Sequence, residues 1–442
     1  MYRIKIKELI QWKLSKKRKP LIFLGARQVG KTWLIQQFGK TEYKQMAYIN
    51  FERPNAPKDL FEMDFEMGRI ITVLNAYCNL KITAADTLIV FDEIQAAQKG
   101  ITALKYFYED SPQYHIIAAG SLLGMNIHPG ESFPVGKVDF MKLYPMNFYE
   151  FLLAMGETGI AQLLEKQDFE NLFFFNSKLI NYLRYYLYVG GMPEVVEDFM
   201  QNRDWQNVRN IQKQILTSYR NDFSKHAPKE ILPRINMVWE SLPAQLAKEN
   251  KKFLYGLIKT GARAKDFELA IQWLTDAGLL HKVYNVSKYA LPLVAYQELS
   301  AFKLYHNDVG LLGAMSQLNS RVIANGDAVF TEFKGALSEQ YVFQQLVQKE
   351  NIVIHYFTFD NSKYEIDFLV QTEANEIIPI EVKAGQNLIA NSFNLFCQKY
   401  KPAKAIKTSL ADYKEEGWMT NLPLYAVPSV TSMTTEAKQV RT

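Results

Sequence analysis

Eight consecutive residues, Gly25-Ala26-Arg27-Gln28-Val29-Gly30-Lys31-Thr32, match the phosphate-binding pattern G-x-x-x-x-G-K-[ST] at every specified position. The two glycines let the backbone curl, so that successive N–H groups point into one concavity, and a helix starting there adds the positive end of its dipole. Lys31 has the reach to meet the β- and γ-phosphates of ATP, and the Thr32 hydroxyl is a hard oxygen ligand for Mg²⁺. A second pair of residues fits the same chemistry. Asp92 and Glu93 close the apolar run Leu88-Ile89-Val90-Phe91. An acid at the carboxyl end of a parallel strand stands beside bound phosphates. Asp92 can hold Mg²⁺ through water, and Glu93 can polarise an attacking water.

A second constellation lies near the C-terminus. Asp367 falls in Tyr364-Glu365-Ile366-Asp367-Phe368-Leu369-Val370, and Glu381 and Lys383 fall in Ile378-Pro379-Ile380-Glu381-Val382-Lys383. Both segments read as strands of one hairpin, on which Glu381 and Lys383 share a face while Ile380 and Val382 take the other. Two carboxylates and a lysine can then converge. Oxygen ligands of this kind suit Mg²⁺, and a lysine can orient water and offset charge on phosphorus. The plainer reading is a structural Asp–Lys–Glu cluster whose charges satisfy one another.

Elements must bring these residues together. Leu21–Leu24 reads as a buried strand feeding the loop, and Thr32–Phe38 as the helix leaving it. Ala47–Phe51, Thr87–Glu93, His115–Ala119 and a segment near Val138–Leu143 read as further strands, with a helix around Leu104–Glu109. Strands alternating with helices predict a parallel sheet covered on both faces. Residues 151–225 are rich in Phe and Tyr and read as helices whose aromatic stripe forms core. Gly190-Gly191-Met192-Pro193-Glu194 separates two of them. Beyond Asn236, Leu242–Leu246 and Lys252–Ile258 read as short helices. Phe267, Ala270, Ile271 and Leu274 lie on one face of a third, which Gly278 ends. A hairpin follows, from Leu279–Tyr284 and Ala301–Tyr305. Three helices and a hairpin outline a winged helix. Lys248, Lys251, Lys252, Lys259, Arg263 and Lys265 stand there against Glu249, which suits contact with duplex DNA phosphates; a winged helix used only for protein packing is the other reading.

Composition narrows the class. With 442 residues, several domains are expected. Hydrophobic residues at 48% and charged residues at 22% exclude wholesale disorder. Cys78 and Cys397 match no metal spacing, no apolar run reaches the ~20 residues of a membrane span, and the N-terminus lacks a signal core, so a cytoplasmic protein with no membrane contact is expected. The net charge of +5 is concentrated in residues 1–20, where eight Lys/Arg face one acid, Glu8. Such a run is either a solvated helix face or a nucleic-acid contact.

Together these segments resemble a prokaryotic family of AAA-type P-loop ATPases that carry a C-terminal restriction-endonuclease-like domain of unknown function. The resemblance spans roughly residues 15–430 and rests on Gly25–Thr32, Leu88–Glu93, Ala119–Leu123, Tyr144–Met146, Gly190–Pro193, Asp308–Leu312, Lys334–Ala336, Glu365–Asp367 and Glu381–Lys383. It implies ATP and Mg²⁺ as cofactors, with Thr32 and Asp92 on the metal. It also implies a helical lid, Ser121 as a γ-phosphate sensor (a plain Gly-Ser turn being the alternative), and Arg184 or Arg220 as contributors to an ATP site. Asp367, Glu381 and Lys383 resemble the PD-(D/E)xK nuclease core. Glu339 stands where that fold places a further acid, which would gather Glu339, Asp367 and Glu381 around a metal. Asp308–Leu312 reads only as a helix start with packing residues.

The expected architecture is therefore an α/β P-loop NTPase domain with a parallel, AAA-like sheet (1–150), an α-helical lid (151–235), a winged-helix module (236–325) and a C-terminal α/β PD-(D/E)xK nuclease-like domain (326–442). The expected activity is ATP hydrolysis through Lys31 and Glu93, coupled to a DNA-binding, nuclease-like module that acts through Asp367, Glu381 and Lys383. The alternative is a nucleotide-controlled signalling switch acting on a protein partner or a second copy of the chain, with the nuclease-like fold catalytically silent.

Overall fold

The computed structural model describes residues 1–84, 86–120, 133–248, 252–319, 335–385 and 391–433. The chain divides into two compact units, residues 3–144 with 276–279, and residues 145–275 with 280–442 and the first two residues.

In the nucleotide unit, α1 (Ile6–Leu14) precedes β1 (Leu21–Leu24), α2 (Lys31–Glu42), β2 (Gln45–Asn50), α3 (Met67–Cys78), β3 (Thr87–Asp92), α4 (Gly100–Asp110), β4 (His115–Ala119) and β5 (Asp139–Lys142). Among the described residues the strands form one parallel sheet of order β2-β3-β4-β1-β5. Helical crossovers cover both faces, so β3 is buried at all six positions and reads as an unbroken apolar run ended by Asp92. Ile22, Phe51, Ile89, Phe91, Leu104 and Phe107 belong to one core cluster. Pairing sets Asn50 and Ala119 beside Asp92, and Ala119 beside Phe23. The carboxyl ends of four strands thus finish on one edge, the edge from which the phosphate loop leaves.

The other unit opens with helices, as its aromatic content predicts: α5 (Phe148–Ala154), α6 (Thr158–Lys166), α7 (Phe169–Leu172), α8 (Asn176–Val189), α9 (Pro193–Asn202) and α10 (Trp205–His226). Their ends carry local signals. Asn147 and Glu150 form a capping box on α5, Pro193 opens α9, and Asp204 caps α10. The aromatic stripe is not all core. Phe173 and Phe174 are 60% and 78% exposed. These adjacent residues sit in a single 3-10 turn, where neighbours cannot share a buried face.

Next come α11 (Leu232–Leu246), α12 (Ala264–Asp276), β6 (Leu280–Val286), β7 (Gln297–His306), α13 (Val309–Met315), α14 (Ala336–Leu346), β8 (Ile352–Phe359), β9 (Tyr364–Thr372), β10 (Ile377–Val382), α15 (Asn391–Tyr400), β11 (Ala405–Ser409), β12 (Lys414–Glu416) and β13 (Met419–Pro423). Two expectations change here. Leu242–Leu246 is the last part of α11, not a separate short helix. The helix expected at Lys252–Ile258 shrinks to a 3-10 turn at Tyr255–Leu257. Gln245 explains this: its side chain bonds both the amide and the carbonyl of Leu254, each at 2.9 Å, while the Phe253 amide bonds Phe302 O at 2.8 Å. Those bonds hold the segment extended. The β6–β7 hairpin also does not stand apart. Asn285 and Val286 pair with Tyr356 and Phe357, so it joins a mixed sheet of order β12-β13-β11-β10-β9-β8-β6-β7.

A buried polar knot ties this unit together. Asp308 caps α13 through the Leu311 amide (2.9 Å) and also accepts from the Gly191 amide (2.6 Å) and Gln344 Nε2 (3.1 Å). The Gly191 carbonyl accepts from the Met146 amide at 2.7 Å.

Candidate functional site

Left-handed turns shape the phosphate loop: φ is +147° at Gly25, +65° at Gln28 and +91° at Gly30. A side chain at Gly25 has no room, because its Cβ would lie 2.3 Å from Leu143 O. Ala26 and Val29 are buried and anchor the loop. Gly30 is the N-cap of α2, so Lys31 and Thr32 open that helix where its dipole favours an anion. Lys31 is buried and donates to the carbonyls of Gly25 at 2.6 Å and Ala26 at 2.9 Å. Burial pushes its ammonium down to about 8; Glu93 and Asp92 offset part of that, and Arg27 adds to it. A buried cation held only by neutral carbonyls gains charge-assisted bonds when phosphate oxygens replace them.

Asp92 completes the site. Its Oδ2 accepts from Thr32 Oγ1 at 3.1 Å and from the Tyr48 hydroxyl, and its Oδ1 accepts from the Glu93 amide at 3.1 Å. Thr32 and Asp92 thus present adjacent hard oxygen donors, a set that fits Mg²⁺. Glu93 takes φ +51°, and its Oε2 accepts from Gln95 Nε2 at 2.6 Å. Because β4 lies between β1 and β3, the chain leaving β4 emerges between the loop and Asp92. Ser121, expected there, lies outside the described residues.

Two supporting residues escaped the sequence reading. Arg3 is buried and donates to Val29 O at 2.8 Å and Tyr144 O at 2.6 Å, holding the back of the phosphate loop. It belongs to the N-terminal run of basic residues, and nothing in its spacing marks it. Tyr48 sits on β2 beside β3, where only the strand pairing brings it to Asp92. Arg184 donates to Asn181 at 2.7 Å and Arg220 pairs with Glu240 at 3.3 Å, both within the other unit.

The C-terminal constellation does assemble. Ile380 lies opposite Phe368, which sets Glu381 across from Asp367, and Asp367 Oδ2 accepts from the Val382 amide at 2.8 Å. Lys383 Nζ reaches Glu381 Oε1 at 2.8 Å. Glu339, on α14, is buried, but it faces a cation already present. Lys303 from β7 lies 3.1 Å from Glu339 Oε1 and 2.6 Å from Glu365 Oε1, and the Tyr305 hydroxyl also bonds Glu339. Burial alone would push Lys303 down, yet Glu339, Glu365 and Asp367 outweigh it and hold the ammonium above its usual range. Burial raises Glu381, partly offset by Lys383, with Glu339 and Glu365 adding to the rise. Among the described residues, no group of three or more His, Cys, Asp or Glu side chains is arranged to hold a metal ion. Lys303 thus stands against two of these carboxylates, Glu339 and Glu365, where the sequence reading expects a metal. Glu365 was legible in principle, two residues before Asp367 and so on its strand face. Lys303 was not, because it arrives from a distant strand.

Fold and site together define the first unit as a P-loop nucleotide-binding domain of AAA type. Residues 17–152 match a family model described as an AAA domain. Residues 180–322 match a domain of unknown function, DUF8612, and residues 334–427 match another, DUF4143. Among solved structures, the chain is similar to the Walker-type ATPase PABY2304 of Pyrococcus abyssi, at 14% identity and TM-score 0.43 over 71% of this chain and 95% of that one. It is also similar to the Aeropyrum pernix Orc1 protein in complex with DNA, at 11% identity and TM-score 0.28 over 74% of this chain and 94% of that one. No curated protein sequence matches the chain. No described helix is long and apolar enough to cross a membrane.

Proposed function

We propose that the chain is a Mg²⁺-dependent ATPase whose nucleotide state governs a nuclease-like but chemically closed second unit. The observation that carries the ATPase reading is the joint placement of Lys31, Thr32, Asp92 and Glu93 at the carboxyl edge of one parallel sheet. Lys31 and the loop amides bind the phosphates, Thr32 and Asp92 hold Mg²⁺, and Glu93 orients the attacking water. The metal supplies charge neutralisation at the phosphates. Nucleotide titration and phosphate release test this. Lys31→Ala loses ATP binding, while Glu93→Gln keeps binding and loses turnover. A wild-type chain that fails to bind ATP refutes the reading, and wild-type turnover in Glu93→Gln removes Glu93 from it.

For residues 326–442, the succession α14, β8, β9, β10, α15, β11 supports the nuclease-like reading, and Lys303 supports its silence. A tethered ammonium among Glu339, Glu365 and Asp367 supplies the positive charge that a metal would bring. Plasmid nicking by the wild-type chain with Mn²⁺, lost in Asp367→Ala, would overturn this and make Asp367, Glu381 and Lys383 catalytic. Residues 1–150, 151–235, 236–325 and 326–442 serve as functional modules in this reading, the β6–β7 hairpin of the third being built into the sheet of the fourth. A role on duplex DNA is favoured by Lys248, Lys252, Lys259, Arg263 and Lys265, all exposed before or at the start of α12. If they meet phosphates, affinity falls with salt by roughly 0.9 log units per contact for each tenfold rise. DNA binding without that salt sensitivity, or none, favours the protein-directed switch.

A further inference from the structure

α10 lays Arg209, Lys213, Thr217 and Arg220 along one face, and that face borders an open cleft of about 800 Å³ closed on the other side by Met315 and Asn319. Arg209 is 6% exposed. Its Nη1 donates to Gln212 Oε1 at 2.6 Å and Gly310 O at 3.2 Å, and its Nη2 to Leu318 O at 3.1 Å. The guanidinium lies 4.1 Å from the centre of the Tyr188 ring. Every one of these partners is neutral, and Nε has no hydrogen-bond partner among the described residues. A full positive charge is thus buried with no carboxylate of the described residues against it. Such a charge is costly unless an anion answers it.

The rim strengthens the case. Lys213 is exposed, and no described residue pairs with its ammonium. Arg220 meets Glu240 at 3.3 Å, but both side chains are more than half exposed, so the pair is weak and can open. From Arg209 to Arg220 the helix rises about 16 Å. That length exceeds one phosphate and suits a row of them.

We propose that this cleft is a second phosphate site, distinct from the nucleotide loop, that takes a chain of successive phosphates, either a free polyphosphate or the backbone of a single nucleic-acid strand. Arg209 is the buried anchor at its inner end. Lys213 and Arg220 are the outer cations that follow the chain along α10. The site does not rest on the α12 cations or on the ATPase reading.

The test uses the full chain carrying Lys31→Ala, which disables the nucleotide loop. The probes are inorganic tripolyphosphate, read by melting temperature, and a fluorescein-labelled twelve-residue oligothymidylate, read by anisotropy. At least one should bind. Adding Lys213→Glu and Arg220→Glu, both at exposed positions, should weaken that binding tenfold or more. For the oligonucleotide it should also lower the log–log salt slope by about 0.7 per contact removed. Lys58→Glu with Lys81→Glu makes the same charge change elsewhere and should leave binding intact. Tripolyphosphate binding alone assigns the site to free polyphosphates, and oligonucleotide binding lost in the same variant assigns it to a strand. If neither probe binds, if the Lys213/Arg220 variant binds as tightly as its parent, or if the Lys58/Lys81 control weakens equally, the site does not exist.

Discussion

Raising the pH from 7 to 10 should weaken ATP binding while the ATP-free chain gains stability from the same residue. Lys31 titrates near 8 in the folded, ATP-free chain, against 10.5 when unfolded. Burial sets that drop, and it outweighs the attraction of Glu93 and Asp92. Between those two values the unfolded chain binds more protons, so stability rises with pH across the window, by up to roughly 3 kcal/mol from this one group. Binding runs the other way, because the phosphates need the ammonium. At pH 9 only about one tenth of the ATP-free sites carry it, so affinity should fall about tenfold from its value at pH 7, and about a hundredfold by pH 10. At pH 9 and above nearly one proton should be taken up with each ATP, against only about a tenth of one at pH 7. Isothermal titration calorimetry in buffers of different ionisation heat measures both quantities. Lys31→Arg stays charged throughout, so whatever affinity it retains should be flat with pH. An affinity that does not change between pH 7 and 9.5, or binding at pH 9 without proton uptake, would refute the reasoning.

Three further outcomes follow from the packing. Gly25→Ala should abolish ATP binding measured with a fluorescent nucleotide, since its Cβ would stand 2.3 Å from Leu143 O at a φ of +147°. Lys303→Ala should cost about 3–5 kcal/mol in denaturant unfolding, because it strands Glu339 and Glu365 without their cation; Mn²⁺ should raise the melting temperature of this variant and not that of the wild type. Gly190→Ala should destabilise the second unit by roughly 2 kcal/mol or more, with φ at +76° and the new Cβ 2.2 Å from Asp308 Oδ1; an unchanged unfolding midpoint would show that the knot yields.

The nucleotide site was legible because its chemistry is local. Gly25 to Thr32 are contiguous, and the strand, turn and helix that position them are written in the same dozen residues. Asp92 could be found because an apolar run ending in acids is itself a strand end. Arg3 and Tyr48 were not legible, since each acts through a contact made only after distant strands pair. The C-terminal cluster divides the same way. Asp367, Glu381 and Lys383 follow from strand parity within one hairpin. Lys303 was not legible beside them, because its approach depends on β6 pairing with β8, a long-range event with no local mark. The expected helix at Lys252–Ile258 failed for a related reason: the side chain of Gln245 captured Leu254 and overrode local propensity.

The motifs that carried no chemistry in the sequence turn out to describe one object. Tyr144–Met146, Gly190–Pro193 and Asp308–Leu312 share no pattern along the chain. In space, Asp308 bonds the Gly191 amide, and Gly191 exchanges a backbone bond with Met146. Each glycine is required by contact. A Cβ on Gly191 would fall 2.0 Å from Met146 O, and one on Gly310 would fall 2.5 Å from Val189 O. Burial raises the Asp308 carboxyl, and the donors around it, led by the Gly191 amide, draw it back. Such a site tolerates few replacements: a larger residue meets backbone, and an apolar one leaves buried amides unpaired. The knot gathers the entry to α5, the end of α8, the start of α13 and, through Gln344, α14. It therefore fixes how the helical segment sits on the mixed sheet, and it makes a structural demand on sequence as exacting as the phosphate loop's chemical one.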